Sequence, residues 1–156
     1  MKKNIILFAL ILLVGCKAKK PDPVPEVEEK KTVQLALNAV NSAQKDKAYD
    51  LGKRVLMTCN TSKFKPFTTA EATQSVINNI TIEKLSKTCT KYRQWYGTFQ
   101  DLKLAEVYQN TSDGTTVYRF RALYSKKVAN KELRVFINAA NQLSAVKTLD
   151  WKDSFQ

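Results

Sequence analysis

At Gly97 the apolar period of this chain changes from three and four to two, and that change restricts the chain to one class of fold. Before the glycine, Ile82, Leu85, Cys89, Tyr92 and Tyr96 recur at intervals of three and four, which lines them up on one side of a helix. After it, residues 115–125 alternate. Tyr118, Phe120, Ala122 and Tyr124 fall on one face of a strand, and Val117, Arg119, Arg121 and Leu123 on the other. Helices with one apolar stripe followed by strands with one apolar face bury both by packing helix on sheet, an α+β arrangement.

The other elements follow the same two periods. Residues 33–44 carry Leu37, Val40 and Ala43 at helical spacing, and Asp46 caps a second helix to residue 59 with Ala48, Leu51 and Val55 on one stripe. Thr68-Thr69-Ala70-Glu71 fits a capping box. Thr81 caps the helix that Gly97 ends. Strands are predicted over residues 99–108, 115–125, 132–138 and 143–151. Asp113-Gly114 marks the first hairpin, since both positions accept positive φ, and Asn138-Ala139-Ala140-Asn141 marks a later turn.

Ahead of these elements lie two segments of different character. Residues 1–15 begin with two lysines and continue as an apolar run from Ile5 to Val14, about half the ~20 residues a membrane-spanning helix needs. A positive start, a short apolar stretch and a small residue before the cut describe a secretory signal peptide. Leu13-Val14-Gly15-Cys16 resembles the lipobox of bacterial lipoproteins. The resemblance implies cleavage before Cys16 and acylation of its sulfur, hence a membrane partner through the lipid anchor. Lys17 stands where an inner-membrane retention signal would place Asp, so the implied site is the outer membrane, facing the periplasm. Surface display in some other phyla uses a lysine followed by acidic residues, which come late here. Residues 16–32 then form a linker with three alternate prolines, no aromatic side chain and no long apolar residue except two valines. Such a segment buries too little to offset its ordering entropy.

Residues 33–156 are enough for one domain. They hold 19 basic and 10 acidic side chains, a net charge of +9. At an envelope such a charge meets lipid headgroups, cell-wall polymer or an acidic protein. No zinc-finger spacing or aromatic RNA-binding signature is present, so nucleic acid is not the expected partner. The chain has no histidine. That removes the commonest base near neutral pH, the Ser-His-Asp arrangement and most zinc sites. Only four glycines are present and no phosphate loop. No catalytic residue, metal or cofactor is therefore predicted. Asp46 and Asp50 read as a cap and a solvated neighbour, and Asp101 with Tyr108, Tyr118 or Tyr124 as a conceivable but disfavoured pocket acid.

The order of elements, with "YGTF", "VYRFRALY", "KELRVFINAANQLSAV" and the terminal "LDWKDSF", resembles the nuclear-transport-factor-like domains of secreted bacterial proteins. The resemblance implies N-terminal helices packed on a curved antiparallel sheet, a cystatin-like cone, and several families of that shape have no known function. Its relatives often place Asp or Asn followed by Gly before the last strand, where this chain has Asn138-Ala139-Ala140-Asn141.

Alternation places Lys103, Arg119, Arg121 and Arg134 together on the sheet face away from the helices, either as scattered solvated charge or as a docking stripe for an anionic partner. Two other readings are a small apolar-ligand pocket lined by Trp95, Tyr118, Phe120 or Phe136, and dimerisation through the sheet. The expected function is a non-enzymatic, lipid-anchored envelope protein that binds or assembles. The alternative is a ligand-binding or weakly catalytic cone. Cys59 and Cys89 both fall on apolar stripes, so they either form a disulfide across packed helices or stay as buried thiols; the bond is favoured in an exported domain. Replacing Cys16 by Ser should abolish acylation and leave the chain uncleaved or soluble. Continued processing together with partition into lipid would overturn the lipobox reading.

Overall fold

The computed structural model describes residues 32–155. The expected signal segment, Cys16 and residues 17–31 of the linker lie outside the described residues. A short strand β1 (Thr32–Leu35) and a 3-10 turn (Leu37–Ala39) lead into α1 (Ser42–Thr61), α2 (Gln74–Asn79) and α3 (Ile82–Tyr96). Four strands follow: β2 (Phe99–Asn110), β3 (Thr116–Tyr124), β4 (Lys131–Ile137) and β5 (Leu143–Asp150). All five strands form one antiparallel sheet in chain order. The α+β class holds, and the sheet is not strongly curled.

The core forms where α1 meets the sheet. Ala48, Leu51, Val55 and Leu56 of the helix pack with Val107, Tyr118, Phe120, Leu133, Val135 and Ile137. Gly52 sits at the closest approach: a Cβ there would stand 2.8 Å from Leu133 Cδ2 and 2.9 Å from Val135 Cγ2. Asn41 caps α1, its side chain accepting from the Gln44 N–H at 2.9 Å. Thr81 caps α3 by accepting from the Lys84 N–H. Gly97 ends α3 at φ +80°, where a Cβ would also strike Ser125 Oγ at 2.1 Å.

Four local expectations need correction. Residues 33–44 are not one helix, and only Ser42 onward joins α1, because Val33 and Leu35 alternate along the edge of β2, in register with Gln109 and Val107, while Leu37 stays exposed. The predicted cap Asp46 instead lies inside α1. The Thr68–Glu71 box closes only in part: the Thr68 N–H donates to Glu71 Oε2 at 3.0 Å, but no helix grows from it. Glu71 is shared with Arg54, which donates to both its oxygens at 2.7 and 3.1 Å. Those bonds, ahead of the contribution from Thr68, hold the Glu71 carboxyl down at about 2. At the Asp113-Gly114 hairpin only Gly114 adopts positive φ. The later turn closes without glycine because Asn141 itself takes φ +59°.

Substituting Gly52 by Ala should lower stability. Overpacking a fixed core costs about 1–3 kcal/mol, which outweighs the ~1 kcal/mol a helix gains from that change. Thermal unfolding checks the sign, and a higher melting temperature would mean that α1 can lift from the sheet freely.

Candidate binding surface

The four basic residues expected to form an open stripe do lie on one face, but they do not form a stripe. Cross-strand register pairs Lys103 with Arg121, and Arg119 with Arg134. Arg119 is fully buried and Arg134 nearly so. Arg119 donates through Nε to Glu132 Oε2 at 2.5 Å and through Nη1 to Glu106 Oε2 at 2.6 Å. Its Nη2 donates to the Lys152 carbonyl. Arg134 Nε donates to the other Glu132 oxygen at 2.6 Å. Burial works against the Arg119 charge, but the bonds from Glu106 and Glu132 outweigh it and raise its pKa.

The cover over this network is the C-terminal segment. After β5 the chain turns back over the face instead of continuing as strand. The Trp151 ring lies 3.8 Å from the Arg119 guanidinium and 3.7 Å from that of Arg121. Phe155 lies 4.5 Å from the Arg134 guanidinium and stacks on Tyr108 at 4.0 Å. Alternation identified the face correctly but carried no signal that the tail returns across it. Lys103 and Arg121 remain exposed, with the Arg121 guanidinium over the Trp151 ring.

A denser set of exposed cations lies elsewhere. On α3 and the β3–β4 turn, Lys87, Lys91, Arg93, Lys126 and Lys127 are all exposed. None has a carboxylate within ion-pair distance among the described residues. Lys126 fastens the two elements: its Nζ donates to the Gln94 carbonyl at 2.6 Å, and its backbone N–H to the Tyr96 carbonyl at 3.1 Å. Trp95 is 56% exposed and Val128 73% exposed at the same end. The sequence does carry a signal for this surface. Lys84, Lys87 and Lys91 recur at helical spacing on the side of α3 away from its apolar stripe.

The alternative interior pocket is also corrected. Trp95 is exposed, Tyr118 and Phe120 are packed solid in the core, and Phe136 lies on the outer face beneath Lys147. An apolar groove of about 300 Å³ does exist between α1, α3 and β5, lined by Val55, Leu56, Leu85, Tyr92 and Val146. Asp101 meets none of Tyr108, Tyr118 or Tyr124. It accepts from Tyr49 Oη at 2.6 Å and Lys53 Nζ at 3.0 Å, and the Tyr49 bond, then that of Lys53, lowers its pKa. A carboxylate held ionised in this way is poorly placed to give up a proton. Among the described residues no group of acidic and cysteine side chains has the clustering a metal site needs.

Cys59 of α1 and Cys89 of α3 are bonded, with Cα atoms 4.8 Å apart. Closing a loop of that separation, 30 residues, contributes about 3–4 kcal/mol by restricting the unfolded chain. No family model matches the chain, nor does any curated protein or solved structure.

Because Arg119 is buried against two carboxylates, Arg119→Gln should cost about 3–5 kcal/mol by leaving Glu132 short of a counter-charge. Adding Glu132→Gln should recover part of that loss. Urea unfolding of the two single variants and the double variant gives the coupling. A loss of about 0.5 kcal/mol or less, as for an exposed charge, would contradict the burial.

Proposed function

We propose that this is a lipid-anchored, non-catalytic protein of the cell envelope, which binds an anionic partner through the α3 and β3–β4 end of its domain. The observation that carries this reading is the group of five exposed cations without carboxylate partners among the described residues, set beside exposed Trp95 and Val128. The Cys59–Cys89 bond supports an oxidising compartment, which agrees with the lipobox at Cys16. The order of helices followed by an antiparallel meander supports the likeness to a nuclear-transport-factor-like, cystatin-like domain. No helix among the described residues is long and apolar enough to cross a membrane, so on this reading attachment rests on the lipidated cysteine. A second reading, a small apolar ligand in the groove beside α3, is favoured by that groove's 300 Å³, at the low end of known ligand pockets.

The main reading depends on position and not on net charge alone. Replacing Lys91, Lys126 and Lys127 by Gln should sharply lower retention on a polyphosphate resin, at salt concentrations where the unaltered chain is held. Replacing Lys45, Lys47 and Lys147, at the other end and on the outer face, removes the same charge and should change retention much less. Equal losses from the two variants would reduce the surface to a bulk-charge effect.

A further inference from the structure

We infer that the α3 and β3–β4 end is a membrane-contact surface, which seats Trp95 and Val128 in the interface of an anionic bilayer while the surrounding lysines meet lipid headgroups. The inference rests on the proposed anionic-partner reading and names the class of that partner.

Three observations favour a bilayer over a protein or a polymer. The first is composition. Four of the cations, Lys87, Lys91, Lys126 and Lys127, are lysines, and one is an arginine. Lysine is a hydrated point charge on a long flexible stem, suited to a diffuse anionic sheet. Bidentate recognition of a defined carboxylate or phosphate favours the arginine fork, and two of this sheet's arginines, Arg119 and Arg134, are sealed under the tail.

The second observation is the pair of apolar groups. Trp95 and Val128 stand out from the surface among these lysines. Trp95 meets the Tyr96 ring edge to face, with ring centroids 6.2 Å apart, and keeps more than half of its surface open. An indole set among lysines is the combination that anchors proteins at the level of lipid headgroups. Lysine stems and an aromatic body enter the apolar boundary while the charges remain in water.

The third is reach. The described chain begins at Thr32, in register with Asn110 at the far end of β2. The β3–β4 turn lies at the opposite end of β3, whose nine residues span about 30 Å. If fully extended, residues 17–31 reach about 50 Å from Cys16. A tether of that length exceeds the domain's strand length, so the far end can turn down onto the same membrane that holds the anchor. A single acyl chain binds a membrane only marginally, and a basic patch is one of the second signals that make attachment stable.

The test uses the chain from residue 16 onward with Cys16→Ser, so that no acyl group contributes. Co-sedimentation is measured with vesicles of phosphatidylcholine alone and with phosphatidylglycerol and phosphatidylcholine in equal parts. Tryptophan emission is read as a difference against Trp95→Phe. The expected result is binding to the anionic vesicles alone, with a blue shift belonging to Trp95. Each of Lys91→Gln, Lys126→Gln and Lys127→Gln should weaken binding about fivefold. Trp95→Ser with Val128→Ser, both exposed positions, should weaken it about tenfold or more while leaving the melting temperature in place. Equal binding to neutral and anionic vesicles, unchanged Trp95 emission, or no effect of the serine pair would each overturn the membrane inference. Position-dependent retention on polyphosphate without vesicle binding would overturn the membrane inference and leave the anionic-partner reading standing. Loss of position dependence on polyphosphate would sink the reading itself.

Discussion

The architecture depends on how closely α1 can lie on the sheet. Ala48 and Gly52 give the helix a flat side one turn long, and Leu102, Leu133 and Val135 fill the space that larger side chains would have taken. Once α1 is seated there it becomes the platform for the rest of the helical layer. α3 leans chiefly on α1 and meets the sheet through Tyr92 and Tyr96, which pack against Tyr124 of β3 and under Lys131 of β4. Cys89 is its one buried residue, and that residue is bonded to α1 through Cys59. A helix so attached leaves much of its circumference in solvent, and for that reason Lys87, Lys91, Arg93 and the exposed Trp95 stand out on α3.

The outer face of the sheet and the α3 end of the domain handle charge in opposite ways. On the outer face, opposite charges are drawn into one buried network, with Glu106 and Glu132 answering Arg119 and Arg134, and with Trp151 and Phe155 shielding them from water. Those ion pairs are expensive to desolvate and costly to break singly, so they fix the path of the tail and offer nothing to a partner. The surplus positive charge of the domain is thereby left to the α3 end and scattered lysines. Net charge alone would not have separated a structural arginine from an available lysine; burial and pairing do.

Much of the fold was legible from periodicity. The change at Gly97 marked the end of α3, and the four long strands lie within one or two residues of their alternating segments, because each contributes apolar residues to the core or its margin and burial of a face specifies register strongly. Elements whose partners are distant in the chain were not legible. Residues 32–35 form a strand only because β2 offers an open edge, and Thr68–Glu71 does not start a helix because the backbone of Glu71 and Thr73 bonds to Leu143 of β5 instead. The basic face of the sheet was readable as a face, yet nothing in residues 119 or 134 announces that a tryptophan 32 positions beyond Arg119 will cover it. The lysines of α3 were readable in principle. Their spacing was overshadowed by the apolar stripe on the same helix.

The disulfide connects location to the surface on which binding is proposed. A 15-residue helix is marginal by itself in water, and α3 has little buried apolar area to compensate. Tying Cys89 to Cys59 removes much of the freedom that α3 would otherwise have to fray or detach, at the one point where it is buried. In a reducing compartment the same helix would be held by a few partly buried side chains, Leu85 and Tyr92 among them, and the lysines it carries would lose their fixed relation to Lys126 and Lys127. A surface built on a helix of this kind is therefore well defined only where thiols are oxidised, the environment that the N-terminal segment, read on its own, also predicts.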